Sequence, residues 1–240
     1  MADRDFYCFI DTYMNAHDFG IIETCFNKYE YYLDCPDNPE KPIGVIAGPE
    51  QDYDGNTYYH TRQQFEEMLR VKHTVCFNIY GKRFESIVFV AVERIQNTCC
   101  LYINLCSDEG EEELLIKLCL NIAHLFATSR KLIGFYVDTR SNYPDYNWRK
   151  FFLKGELEKR GLELDKEIED FEKYARPFVN SGVLGQYLPP LFGIRLSLAD
   201  QLEPTEHWCQ AKIVGDVLFL YNPATAVTYH DTTLKLEDIT

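Results

Sequence analysis

The chain has 240 residues, 46% hydrophobic and 15% aromatic, which supplies ample core material and excludes a disordered or fibrous protein. Its 38 acidic against 24 basic residues leave a formal net charge of -14 and a pI near 4.8, a balance that opposes nucleic-acid backbones and anionic membranes, and that either simply keeps the protein soluble or favours a basic partner. No stretch approaches the roughly eighteen apolar residues of a membrane span, and Met-Ala-Asp-Arg-Asp-Phe lacks the features of a secretion signal, so the expected compartment is the cytoplasm.

Residues 5–14, rich in aromatic and β-favouring types, predict a first strand. Residues 19–34 place Ile22, Cys25, Phe26, Tyr29 and Leu33 at three- and four-residue spacing, which predicts an amphipathic helix. Prolines and glycines punctuate residues 35–60, read as a long surface loop with a possible short strand at Ile43 to Ala47. Thr61 and Gln64 have the spacing of a capping box, opening a short helix buried through Phe65, Met68 and Leu69.

The β-rich runs His73 to Tyr80, Phe84 to Glu93 and Thr98 to Cys106 are joined by connections so short that they must form an antiparallel meander. The nearly unbroken apolar run Phe84 to Val92 predicts a central strand buried on both faces. From Ser107 a helix follows, with Asp108, Glu109 and Glu111 to Glu113 at its start, where the helix dipole favours acids. Leu114, Leu115, Leu118, Ile122, Leu125 and Phe126 are its expected buried side. Leu132 to Val137 is a further strand, residues 144–176 form a helical insert in which Glu169 and Lys173 are spaced as a pair, and a hairpin closes the domain at residues 207–221. The expected whole is one α+β domain over residues 1–240, with helices packed on a mainly antiparallel, mixed sheet.

Motifs for chemistry are missing. No phosphate loop is present, no cysteine pair has zinc-site spacing, and no two histidines are three to five residues apart. The nine cysteines are odd in number and sit in apolar runs, as small buried hydrophobes do in a reducing compartment. Cys119 and His124 fall on different helical faces, so they do not form a nucleophile and base. No catalytic, metal-binding or cofactor-binding residue is assigned.

Three stretches are instead the expected partner-binding surface. Asp52, Tyr53, Asp54, Tyr58 and Tyr59 combine acids with tyrosines on a polar loop, and Tyr143, Asp145, Tyr146 and Trp148 repeat that mixture. Tyrosine supplies interface area at low entropic cost. The acidic run Asp108, Glu109, Glu111, Glu112 and Glu113 is the third; its acids are expected on a solvated face.

The order of elements, with "GVLGQYLPPLFG", "LADQL" and the hairpin "WCQAKIVGDVLFLYN" at its close, resembles bacterial immunity proteins of polymorphic toxin systems. The group in question often accompanies restriction-endonuclease-like toxins. The resemblance implies a non-catalytic inhibitor that occludes a cognate secreted toxin, a nuclease, and it transfers no functional residue. Two other readings stay open: an enzyme using His207, Cys209 or clustered acids, and an acidic nucleic-acid mimic or adaptor.

Overall fold

The computed structural model describes residues 4–12, 14–46, 56–95, 98–105, 109–139, 191–199 and 210–221. The expected helical insert at 144–176, with Glu169 and Lys173, lies outside them. So do Asp52, Tyr53, Asp54, Asp108, Tyr143, Asp145, Tyr146, Trp148, His207, Cys209 and most of the Gly-rich closing segment.

The described residues form an α+β domain built on one eleven-stranded sheet, every pairing in it antiparallel. In chain order the strands are β1 (Arg4–Ile10), β2 (Tyr31–Tyr32), β3 (Ile43–Val45), β4 (Tyr58–His60), β5 (Thr74–Gly81), β6 (Ser86–Ile95), β7 (Thr98–Asn104), β8 (Leu132–Thr139), β9 (Leu191–Arg195), β10 (Gln210–Val214) and β11 (Val217–Tyr221). Across the sheet they lie in the order β10-β11-β9-β8-β1-β7-β6-β5-β3-β4, with β2 beside β3 on the same edge of β5. The helices are α1 (Ala16–Lys28), α2 (Arg62–Val71), α3 (Glu109–Thr128) and the single turn α4 (Leu196–Ala199).

The first three helices share one face of the sheet. Phe19 of α1, Phe65 of α2 and Phe77 of β5 meet edge-on with ring centroids 5.1 to 5.7 Å apart, an arrangement favoured by the ring quadrupoles. Helix α3 is apolar around most of its circumference because it is wedged between α1 and the strands β1, β8 and β10. Cys25 of α1 donates its thiol to the Asn121 side-chain oxygen of α3 at 3.6 Å. Leu125, expected inside, is instead exposed at the rim of α3.

Local chemistry sets the helix ends. Asn15 caps α1 by accepting from the Asp18 amide at 3.0 Å. The capping box of α2 forms as expected, Thr61 accepting from the Gln64 amide while the Gln64 side chain accepts from the Thr61 amide. The Arg94 guanidinium satisfies the far end of α2, donating to the carbonyls of Leu69 and Arg70. Helix α1 stops sooner than its apolar spacing predicts, because Glu30 takes a left-handed conformation (φ 62°) that turns the chain into β2. Leu33 is therefore buried from an extended segment. The region read as a long loop contains β3 and β4, paired through Ile43–His60, Gly44–Tyr59 and Val45–Tyr58.

The terminal hairpin has Gly215 at φ 59° in the first central position of a two-residue turn, the type II′ pattern that suits strand twist. Six of the described cysteines are buried and all seven are free thiols. Burial pushes Cys25 up to about 11 and raises Cys8, Cys99 and Cys119 as well, so these thiols stay protonated packing groups.

One expectation fails instructively. Strand β6 is not buried on both faces: Val88, Val90 and Val92 point to the helices, whereas Ile87 is 66% exposed and Phe89 and Ala91 are half-buried. The apolar run marks a strand whose second face is apolar yet open.

Candidate functional site

Register shows what surrounds Ile87. Ile87 pairs with Tyr80 on β5, and Tyr80 pairs with Tyr32 on β2, so the three side chains share the face opposite α1, α2 and α3. Gly44 and Tyr59 pair across β3 and β4 and belong to that face too. A Cβ on Gly44 would stand 2.7 Å from the Tyr80 hydroxyl and 3.6 Å from the Tyr59 ring. Glycine is thus what lets the Tyr80 hydroxyl close over β3. Tyr32 and Tyr59 are each 38% exposed.

The side chain of Cys35, which is itself buried, lies close enough to Tyr59 and Tyr80 to act on both hydroxyls. The contact with Cys35, and then burial, raises the Tyr59 hydroxyl above its usual pKa; burial first, then Cys35, raises that of Tyr80. Both phenols therefore remain neutral hydrogen-bonding groups at physiological pH. The charge of the corner comes from carboxylates: Glu30, Asp34, Asp37, Glu40 and Glu85 are all exposed, and Asp37 lies close enough to Tyr59 to act on it electrostatically. Against these five acids stand Lys41, Lys82 and Arg83. The excess continues along the chain, since residues 1–60 contain twelve acidic and three basic residues.

Among the described residues, the structure separates those expected to act together. Tyr59 reaches the open face, but Tyr58 alternates to the helix-bearing side. The acids of α3 also lie on that side. Glu111 and Glu112 are buried, which corrects the solvated face expected for them. Glu111 accepts from the Tyr31 hydroxyl at 2.9 Å and from the Ser86 hydroxyl, so it ties the start of α3 to β2 and β6. Glu113 is half-buried and bonds Lys117 one turn on at 2.6 Å. The side chain of Glu109 is outside the described set. Among the described residues no group of three His, Cys, Asp or Glu side chains converges as a metal site would require, and no helix is long and apolar enough to cross a membrane.

Tyr32, Tyr80, Ile87, Phe89, Asp34 and Asp37 were not singled out by sequence reasoning. Only the apolar residues at the outward positions of β6 signalled them, and that signal pointed to burial.

Among the described residues the fold and its corner define a class: an open-sheet α+β protein with three helices packed on one face and an acid-flanked tyrosine cluster at one end of the other. No family model matches the chain, and no curated protein matches it. Among solved structures the chain is similar to a type VI secretion system (T6SS) protein of Pseudomonas aeruginosa, at 12% identity and a TM-score of 0.45. The match covers 92% of this chain and 65% of that one, so the chain spans just under two thirds of the other's length.

Proposed function

We propose that the protein is a non-catalytic immunity protein that binds a basic cognate toxin, a nuclease, in the cytoplasm and neutralises it by occlusion. The observation that supports this reading most is the acid-flanked, partly exposed tyrosine corner on the sheet face opposite α1, α2 and α3. A nuclease must present a basic surface to its nucleic acid, and an acidic surface competes for it. The same net charge disfavours nucleic acid and anionic membranes as partners. The cysteines fit a binding role, because those with raised pKa values are not nucleophiles at neutral pH.

The test is co-expression of the tagged chain with the product of its neighbouring gene, followed by purification and a growth assay. The reading expects a stoichiometric complex with a basic protein, and growth restored to cells that produce that protein. A neighbour that neither co-purifies nor becomes less toxic overturns it.

A further inference from the structure

The immunity reading leaves the mode of contact undefined, and the open sheet face specifies one. At β6 the face opposite the three helices is both apolar and exposed, and exposed apolar area that is not scattered marks an interaction surface. Here Ile87, at 66% exposed, stands beside Tyr80, Tyr32 and half-buried Phe89, with Tyr59 one strand pair further on. The exposed carboxylates Asp34, Asp37 and Glu40 belong to the connection between β2 and β3 at the margin of this patch, and Glu30 and Glu85 border its turns. The two raised phenols stay uncharged, so aromatic faces and carboxylates occur together without losing either property.

That pairing selects one side-chain chemistry. A lysine ammonium is a compact, strongly hydrated charge that gains little from an aromatic face. An arginine guanidinium is planar and weakly hydrated; it stacks on tyrosine while its edge donates to a carboxylate in a fork. We propose that the corner formed by Tyr32, Tyr59, Tyr80 and Ile87, with Asp34 and Asp37, is the docking surface for an arginine-bearing segment of the partner protein. The proposal rests on the immunity reading for who the partner is, but not for what the surface recognises.

The experiment has two arms. In the first, the full chain is titrated with nona-arginine and with nona-lysine, which carry equal charge, and both affinities are measured at one moderate ionic strength. The wild-type chain is expected to bind nona-arginine about fivefold or more tighter than nona-lysine, a difference that charge alone does not produce. Ile87→Ser and Tyr32→Ser, both at exposed positions, are expected to bring the two peptides within about twofold of each other. The matched control is Ile213→Ser on β10: Ile213 is 61% exposed on the same face at the far end of the sheet, and its replacement should leave the preference intact. Equal affinity of the wild-type chain for both peptides overturns the proposal, as does a preference that survives the corner variants or falls equally with Ile213→Ser.

In the second arm the same variants enter the growth assay. Loss of protection in the corner variants, with protection kept by Ile213→Ser, supports the surface. Protection kept by all three overturns the corner and leaves the immunity reading standing. An arginine preference at the corner in a chain that protects against no neighbouring product overturns the immunity reading instead, and leaves the recognition chemistry.

Discussion

Asp18 shows how a single buried carboxylate is held. Its side chain is 1% exposed, and it accepts from Lys131 at 2.7 Å, the Thr12 hydroxyl at 2.8 Å and the Asn15 amide at 3.0 Å. Burial acts to raise its pKa, but the hydrogen bonds from Lys131 and Thr12 outweigh it and hold the group below its usual value. A depressed folded-state pKa gives stability that is fully present above the unfolded value near 4 and is lost as pH falls through the lower folded value. The wild-type chain should therefore lose stability through that window more steeply than Asp18→Asn, as read from urea midpoints at stepped pH. At neutral pH Asp18→Asn should cost about 1–3 kcal/mol, the range for weakening a buried charge-assisted cluster. Glu111 allows a parallel test. Replacing it with Leu leaves the hydroxyls of Tyr31 and Ser86 without their buried acceptor, so the urea midpoint should fall by the equivalent of about 1–3 kcal/mol. An unchanged midpoint would mean that water reaches both hydroxyls. The sequence did not announce this role: an acid in the first turn of a helix has a sufficient local reason in the dipole, and its partners come from β2 and β6.

At the scale of elements, what could be read from the sequence was local. The capping box of α2, the meander of β5, β6 and β7, and the turn at Gly215 each depend on residues a few positions apart, and each forms. The pairing of β3 with β5, and of β9 with β8, joins distant segments and leaves no periodic trace in strands of three to five residues. The candidate site divides along the same line. Tyr59 was legible as a tyrosine in a polar stretch, whereas Tyr32, Tyr80 and Ile87 converge only through register. Gly215 offers the test at this scale. A Cβ there would lie 2.2 Å from the Ala127 carbonyl oxygen at the end of α3, on a backbone whose positive φ already disfavours side chains. Gly215→Ala should destabilise the chain by about 1–3 kcal/mol through strain and lost packing of the hairpin on α3. Thermal unfolding followed by circular dichroism would show it, and an unshifted midpoint would mean that the hairpin is energetically separate from the core.

Across the whole molecule the two faces of the sheet carry different tasks. One is closed by three helices around an aromatic core. The other keeps an apolar and tyrosine-rich corner available while the chain holds a formal charge of -14. Like-charge repulsion opposes a compact state, so acidity on this scale either keeps the protein soluble or steers a partner. Ionic strength separates the two roles. Steering acts on the encounter, over distances beyond the screening length of about 10 Å at 0.1 M salt, whereas desolvated aromatic contacts act on dissociation. With the co-purified partner, stopped-flow association should slow by about tenfold or more between roughly 0.02 and 0.5 M salt. Dissociation should change far less over that range, and Ile87→Ser should do the reverse, speeding dissociation while leaving the salt dependence of association in place. An association rate indifferent to salt would assign the acidity to solubility alone, and the corner would then have to recognise its partner without electrostatic help.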